Sequence, residues 1–109
     1  MSKKIILLNA LITSSKIPLT LRTRPITVDE VRTLVAGKEI ASFIGHEATA
    51  QLLSTMLSVN IPMNRGMYEP TPGDTAIVVR LRKRLEKPED VKNVRPEDVE
   101  FILVEYHEY

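Results

Sequence analysis

Short apolar runs separated by polar segments dominate the hydrophobic pattern of the chain. Ile5–Leu8 is an uninterrupted apolar run, which is typical of a strand that is buried on both faces. Residues 17–27 are extended and bounded by prolines, which favours a second strand near a sheet edge. Apolar and β-branched residues predict three more strands: a buried one at residues 39–44, one with clear period-two alternation at 75–85, and a last one at 101–106.

Two segments between these strands have the apolar spacing of amphipathic helices. Thr27 and Glu30 are spaced as a capping box ahead of such a segment, so a short helix is predicted to begin there and to end near Gly37. A second helix is predicted over residues 46–58. Gly45 directly precedes it, and we expect this glycine to allow a tight turn into the helix.

The remaining segments complete the predicted fold. Residues 60–74 are rich in Pro and Gly and predict a loop, with room for one short strand. Two Pro-Glu-Asp-Val sequences, at 88–91 and 96–99, are predicted helix starts, because proline fits the first turn and acids favour the positive helix end. The mixture predicts one α/β (α+β) domain over residues 1–109, in which helices pack on a small mixed sheet of about five strands.

The composition narrows the possible functions chiefly by what it lacks. The 109 residues are 43% apolar and 27% charged, as in ordinary globular domains. The formal net charge is +1, so bulk attraction to nucleic acid or acidic lipid is not indicated, and an anion site must come from local clustering. Without cysteine the chain has no disulfide, thiol nucleophile or thiolate metal site.

Residues 1–15 place two lysines ahead of an apolar run, as a signal peptide does. Asn9 interrupts that run and no clear cleavage pattern follows, so we expect no signal sequence. No apolar run approaches the length that spans a bilayer. We therefore expect a cytoplasmic protein that does not associate with membranes.

His46 is one of only two histidines, and it stands at the start of the second predicted helix. A helix amino terminus presents unpaired N–H groups and a positive dipole end, both suited to phosphate, and an imidazole there could serve as a general acid. The alternative is a structural histidine at the helix end, which is a common arrangement. His107 is distant in sequence and no acids stand at ligand spacing, so neither a metal nor a cofactor is expected.

Arginines repeat at every second position of the strand predicted at 75–85. Alternation places three of them on one face: Arg80, Arg82 and Arg84. They could bind a polyanion, or they could be neutralised by carboxylates of neighbouring elements, namely Glu97, Glu100 or Glu105. Charge spacing alone favours the second interpretation.

Three short segments carry a family resemblance. They are Asn9-Ala10 after the first strand, Ile-Gly-His-Glu-Ala-Thr at residues 44–49, and Asn64-Arg65 followed by Arg84-Leu85-Glu86. In order and spacing they resemble the viral ring nucleases, small anti-CRISPR proteins best known from viruses of hyperthermophilic archaea. The resemblance runs from the first strand to about residue 87.

The resemblance implies a mixed α/β homodimer that acts in the cytoplasm of the infected host cell. Its ligand would be cyclic tetra-adenylate, the symmetric second messenger of type III CRISPR complexes. The family's chemistry needs no metal, because the ribose 2′-hydroxyl attacks the adjacent phosphodiester and leaves linear products with 2′,3′-cyclic phosphate ends. No membrane and no obligatory DNA or protein partner is implied.

The resemblance also assigns roles to individual residues. His46 would protonate the departing 5′-oxygen, and Glu86 would supply a catalytic carboxylate. Ligand contacts would come from five residues: Asn9, Thr13, Thr49, Arg65 and Arg84. Ala48 and Ile12 stand where family members often have serine, and Lys87 stands where a second carboxylate is typical. Because of these departures, a protein that sequesters the messenger without cutting it is one alternative. The arginines leave another alternative, a dimeric nucleic-acid-binding viral regulator.

Overall fold

The computed structural model of the protein describes residues 4–82 and 94–109. Those residues form five strands and two α-helices: β1 (Ile5–Leu8), β2 (Leu19–Ile26), α1 (Val28–Val35), β3 (Ile40–Phe43), α2 (Glu47–Leu57), β4 (Thr75–Leu81) and β5 (Val99–Glu108). A single 3₁₀ turn, Pro96–Asp98, leads into β5. No helix in these two stretches is long and apolar enough to cross a membrane.

The strands form one mixed sheet in the order β2-β5-β4-β1-β3. β1 pairs in parallel with both β3 and β4, whereas β5 pairs antiparallel with β4 and β2. The carboxyl ends of β1, β3 and β4 therefore meet along one side of the sheet, which we call the carboxyl edge. The predicted mixed five-stranded sheet with packed helices is confirmed.

Both faces of the central strands are covered. On one face the helices pack Val31 and Leu53 against Ile77 and Phe101 of the sheet. The opposite face has no helix among the described residues and is covered in part by the segments that follow β1 and precede β4. Burial on both faces explains why β1 is an unbroken apolar run.

The capping box that the sequence predicts is present at the start of α1. The Thr27 hydroxyl accepts a hydrogen bond from the Glu30 N–H (3.2 Å), and the Glu30 carboxylate accepts one from the Thr27 N–H (3.3 Å). Two otherwise unpaired backbone groups are thus satisfied within four residues.

Two predictions need correction. Residues 39–44 contain a strand, but β3 lies at a sheet edge, and three of its four residues are only half-buried. The Pro-Glu-Asp-Val at 96–99 does not begin an α-helix, because the chain makes one 3₁₀ turn and enters β5, which pairs on both sides. The loop at 60–74 contains no strand. The first Pro-Glu-Asp-Val, at 88–91, and the end of the segment 75–85 lie outside the described residues.

Candidate functional site

An open depression of about 440 Å³ lies at the carboxyl edge. Asn9 follows β1, His46 follows β3, and Arg80 is near the end of β4. Parallel pairing of these three strands brings these residues to one place, although they are distant in sequence. The depression is completed by Thr49, Val79 and Leu81.

The amino end of α2 opens toward this depression. His46 is the N-cap residue, with extended backbone (φ −122°, ψ 128°), and its side chain makes no capping hydrogen bond. The N–H groups of the first helical turn therefore lack the side-chain partner that Thr27 provides in α1. Glu47 is the one acidic side chain of the first turn, and it is exposed. An uncapped helix start of this kind is suited to an anion.

A network of hydrogen bonds ties the loop before β4 to the segment that carries His46. Asn64 donates its backbone N–H to the Ile44 carbonyl (2.8 Å) and its Nδ2–H to the Ser42 carbonyl (2.9 Å). Arg65 then donates its Nε–H to the Gly45 carbonyl (3.2 Å). The Nη groups of Arg65 have no hydrogen-bond partner within residues 4–82 and 94–109, and Arg65 is not among the residues that line the depression.

Gly45 does not have the special backbone conformation expected of a tight turn. Positive φ occurs at Gly37 and Gly73, not at Gly45. A Cβ built on Gly45 would lie 3.8 Å from Arg65 Cγ and 4.0 Å from Asn9 Nδ2. The missing side chain therefore leaves open space between two predicted ligand-binding residues.

The arginines predicted to share one strand face have different surroundings. Arg82 forms an ion pair with Glu100 (Nη2 to Oε1, 2.6 Å), which confirms neutralisation by a neighbouring strand for this residue. Arg80 is exposed and has no ion pair within the described part of the chain, and it lines the depression. A larger depression, about 510 Å³, lies farther along the same edge, but its Arg24 and Arg82 are both ion-paired.

The other predicted site residues fall into three groups. Thr49, which is buried (6% exposed), lines the depression. Asn9 also lines it. Thr13 lies instead beside a second depression that Asn9 also borders. Arg84 and Glu86 lie outside the described residues. Within the described ranges, no group of three or more His, Asp or Glu side chains is close enough to hold a metal ion.

The sequence alone does not decide whether Arg80 belongs to the site. Its alternation along β4 was visible in the sequence. Its position beside Asn9 and His46 depends on the pairing of β4 with β1, in which Leu8 lies opposite Val78. That pairing joins strands about 70 residues apart, and no local pattern records it.

The fold and the depression thus define a small α+β protein with an anion-suited site at the carboxyl edge of its sheet. The chain belongs to the STIV B116-like family, whose sequence model matches residues 5–106. It is 34% identical over 74 residues to uncharacterized protein 26 of Sulfolobus islandicus filamentous virus, an alignment that covers 68% of this chain and 63% of that protein. It is also 32% identical over 72 residues to protein ORF117 of Acidianus two-tailed virus, covering 64% of this chain and 62% of that one.

The family likeness extends beyond archaeal viruses and to a solved structure. Protein YddF of Bacillus subtilis is 34% identical over 90 residues, with 81% of this chain and 80% of that protein covered. The structure of B116 of Sulfolobus turreted icosahedral virus superposes with a TM-score of 0.69 at 21% identity, over 94% of this chain and 98% of that one. At this identity the superposition establishes the fold.

Proposed function

We propose that the protein is a viral ring nuclease that cleaves cyclic tetra-adenylate. The observation that carries the proposal is the meeting of His46, Arg80 and Asn9 at the uncapped start of α2. A general acid, a cation without an ion pair in the described chain and unpaired amides are the parts needed to hold and cleave a phosphodiester. The resemblance of residues 44–49 and Asn64-Arg65 to the ring nucleases supplies the identity of the substrate.

The proposed reaction is a transesterification within the ligand. The ribose 2′-oxygen forms a bond to phosphorus and loses its proton to a base, while the bond from phosphorus to the 5′-oxygen breaks. His46 protonates that departing oxygen, a contribution typically worth about a hundred- to ten-thousandfold in rate. Because the nucleophile is the 2′-hydroxyl of the substrate, no metal-bound water is needed as the nucleophile. Glu86, the catalytic carboxylate that the resemblance implies, is the proposed base that takes the proton of the 2′-hydroxyl.

The cationic groups have a separate task in this proposal. Arg80, the Nη groups of Arg65 and the α2 amides would hold the phosphate and stabilise the charge that develops on its oxygens. Positioning the 2′-hydroxyl in line with the departing oxygen would lower the barrier further. Thr49 and Asn9 would provide neutral hydrogen bonds to the same group.

The proposal includes a second copy of the chain and a cellular location. A symmetric ring matches a two-fold homodimer, in which each copy would contribute one set of these residues. The protein would act in the cytoplasm of the infected host cell, where it would remove the messenger.

The decisive experiment is incubation of the protein with cyclic tetra-adenylate in excess chelator, followed by chromatography. We expect linear products that end in 2′,3′-cyclic phosphate. An intact ring that remains bound to the protein would select the sequestering alternative. Salt-sensitive binding to duplex DNA without ring binding would select the nucleic-acid regulator, which the Arg82–Glu100 ion pair makes less favourable.

His46→Ala tests the role of the general acid. We expect this variant to bind the ring but to lose at least about a hundredfold in cleavage rate, measured in single-turnover assays. His107→Ala is the matched control, because His107 is exposed and lies on β5 opposite Thr20, away from the depression. Equal turnover by the two variants would remove His46 from the mechanism.

A further inference from the structure

A second depression, of about 280 Å³, adjoins the first, and Asn9 lines both. Its walls include the apolar and aromatic side chains of Leu8, Ile12, Phe43 and Tyr68 on the face of the sheet opposite α1 and α2. The Phe43 and Tyr68 rings are tilted by 47°, with their centroids 5.3 Å apart. Walls of this kind suit a flat, largely apolar group.

The two depressions differ in the charge of the groups that line them. Glu69 lines the second one, and its carboxylate accepts hydrogen bonds from the hydroxyls of Ser14 (2.7 Å) and Ser15 (2.9 Å). These bonds lower the pKa of the Glu69 carboxyl, so it is ionised near neutral pH. An ionised carboxylate repels phosphate, whereas the first depression offers Arg80 and the α2 amides. A ligand that fits both depressions must therefore join an anionic group to a neutral planar one.

Met67 marks the rim of the second depression. This residue is 96% exposed, although its side chain is large and apolar. Met63, in the same loop, is 45% exposed and does not line this depression. A flexible thioether beside a cavity with aromatic walls can pack on the face of a bound ring, because sulfur contacts with aromatic groups are favourable.

We infer that the second depression, which we call the base pocket, binds the nucleobase of a nucleotide whose phosphate lies beside His46 and Arg80. The inference rests on the proposed function, because that function places the phosphate. It adds recognition of the base, which distinguishes a nucleotide from other phosphate esters. Asn9, which borders both depressions, marks where the sugar passes from one to the other.

The first test compares adenosine 5′-monophosphate with ribose 5-phosphate, which has the same phosphate and sugar but no base. Stacking on aromatic rings typically strengthens binding about ten- to a hundredfold per base, so we expect the nucleotide to bind at least about tenfold more tightly. Equal affinities in calorimetric titrations would overturn the base pocket.

Methionine methyl NMR locates the bound base in the wild-type protein. We expect the nucleotide to shift the Met67 methyl resonance through the ring current of the base and to leave the Met63 methyl resonance in place. Nucleotide binding with the Met67 resonance unmoved would contradict the inference.

Variants supply the matched comparison. Met67→Ser should weaken nucleotide binding severalfold, whereas Met63→Ser should not. Thr13 is exposed and lines the pocket, so Thr13→Trp should fill the pocket. The ratio of the affinity for adenosine 5′-monophosphate to that for ribose 5-phosphate should then fall to about one. A thermal melt of each variant checks folding, and an unchanged ratio in folded Thr13→Trp would overturn the inference.

The base pocket and the proposed enzymatic function can fail separately. If cyclic tetra-adenylate stays intact while the nucleotide preference and the Met67 shift are observed, the enzymatic function fails and the base pocket stands. If the ring is cleaved and the protein binds the nucleotide no more tightly than ribose 5-phosphate, the base pocket fails and the enzymatic function stands.

Discussion

Among single residues, Gly45 is the one whose lack of a side chain has no explanation in the fold itself. Its φ is not positive, and an added Cβ would make ordinary van der Waals contacts. Neither backbone conformation nor packing therefore requires glycine. What a methyl group would change is the space between Arg65 and Asn9, and Asn9 lines the depression.

Gly45→Ala is expected to weaken binding of cyclic tetra-adenylate by about tenfold or more, because overpacking by a methyl group costs on the order of 1–3 kcal/mol. We expect the free energy of unfolding to change by less than about 0.5 kcal/mol. Binding is measured by calorimetry, with His46→Ala also present in the protein so that the ring is not consumed.

Gly37→Ala is the control for Gly45→Ala, because we expect it to change stability and not ligand binding. Gly37 has φ +70° and nothing within 4 Å of an added Cβ, so alanine there is strained by its backbone conformation alone. We expect Gly37→Ala to lower the unfolding free energy by about 1 kcal/mol and to bind the ring normally. Full binding by Gly45→Ala would show that the ligand does not approach this glycine.

At the level of elements, the two helices begin in different ways. α1 is closed by the reciprocal hydrogen bonds of Thr27 and Glu30, and an ion pair from Arg24 to Glu30 (3.2 Å) adjoins them. α2 begins at His46 with no side-chain cap. The cap of α1 thus contributes to stability, whereas the start of α2 remains available to a ligand.

Urea denaturation of two variants tests this difference. We expect Thr27→Ala to lower the unfolding free energy by about 1 kcal/mol, as the loss of a capping side chain usually does, and His46→Ala to lower it by less than about 0.5 kcal/mol. A loss for His46→Ala as large as that for Thr27→Ala would support the structural alternative, in which His46 serves as a helix cap.

In the molecule as a whole, Tyr106 connects the sheet to the segment that carries the predicted ligand contacts. It is fully buried on β5, and its hydroxyl donates a hydrogen bond to the Ile12 carbonyl (2.7 Å). Its ring lies against Tyr68, with centroids 6.1 Å apart, and the Tyr68 hydroxyl donates to Asp74. The segment with Thr13 is thereby held against the face of the sheet opposite α1 and α2.

Burial, and secondarily the charge of Asp74, raise the pKa of Tyr106 to about 12, from about 10 in an unfolded chain. Folded Tyr106 therefore retains a proton that the unfolded chain loses, and this residue alone should make the stability fall as pH rises from about 10 to 12, by up to about 1.4 kcal/mol per pH unit. Urea denaturation across that range measures this slope.

Tyr106→Phe separates the contribution of Tyr106 from that of Tyr68, whose pKa is also raised, by burial and by the hydrogen bond to Asp74. We expect this variant to lose stability at neutral pH, because the Ile12 carbonyl loses its donor, and to show a shallower alkaline slope. An unchanged slope would mean that folding does not raise the pKa of Tyr106.

The sequence by itself determined the features that contiguous residues encode. The capping box of residues 27–30 depends on groups three positions apart, so it could be predicted before the fold was known. The apolar run of β1 likewise indicates burial on both faces, and Pro25 is consistent with the edge position of β2. The histidine at the start of α2 was predictable for the same reason.

The tertiary structure decided which of these features meet. Asn9, His46 and Arg80 share a depression only because β1 pairs in parallel with both β3 and β4. Arg82 is neutralised because β5 places Glu100 within reach, and residues 96–99 enter that strand instead of a helix. Strand pairing joins positions far apart in the chain through backbone hydrogen bonds that every residue type except proline can make. The sequence of either strand therefore does not specify its partner, and the site becomes visible only in the folded protein.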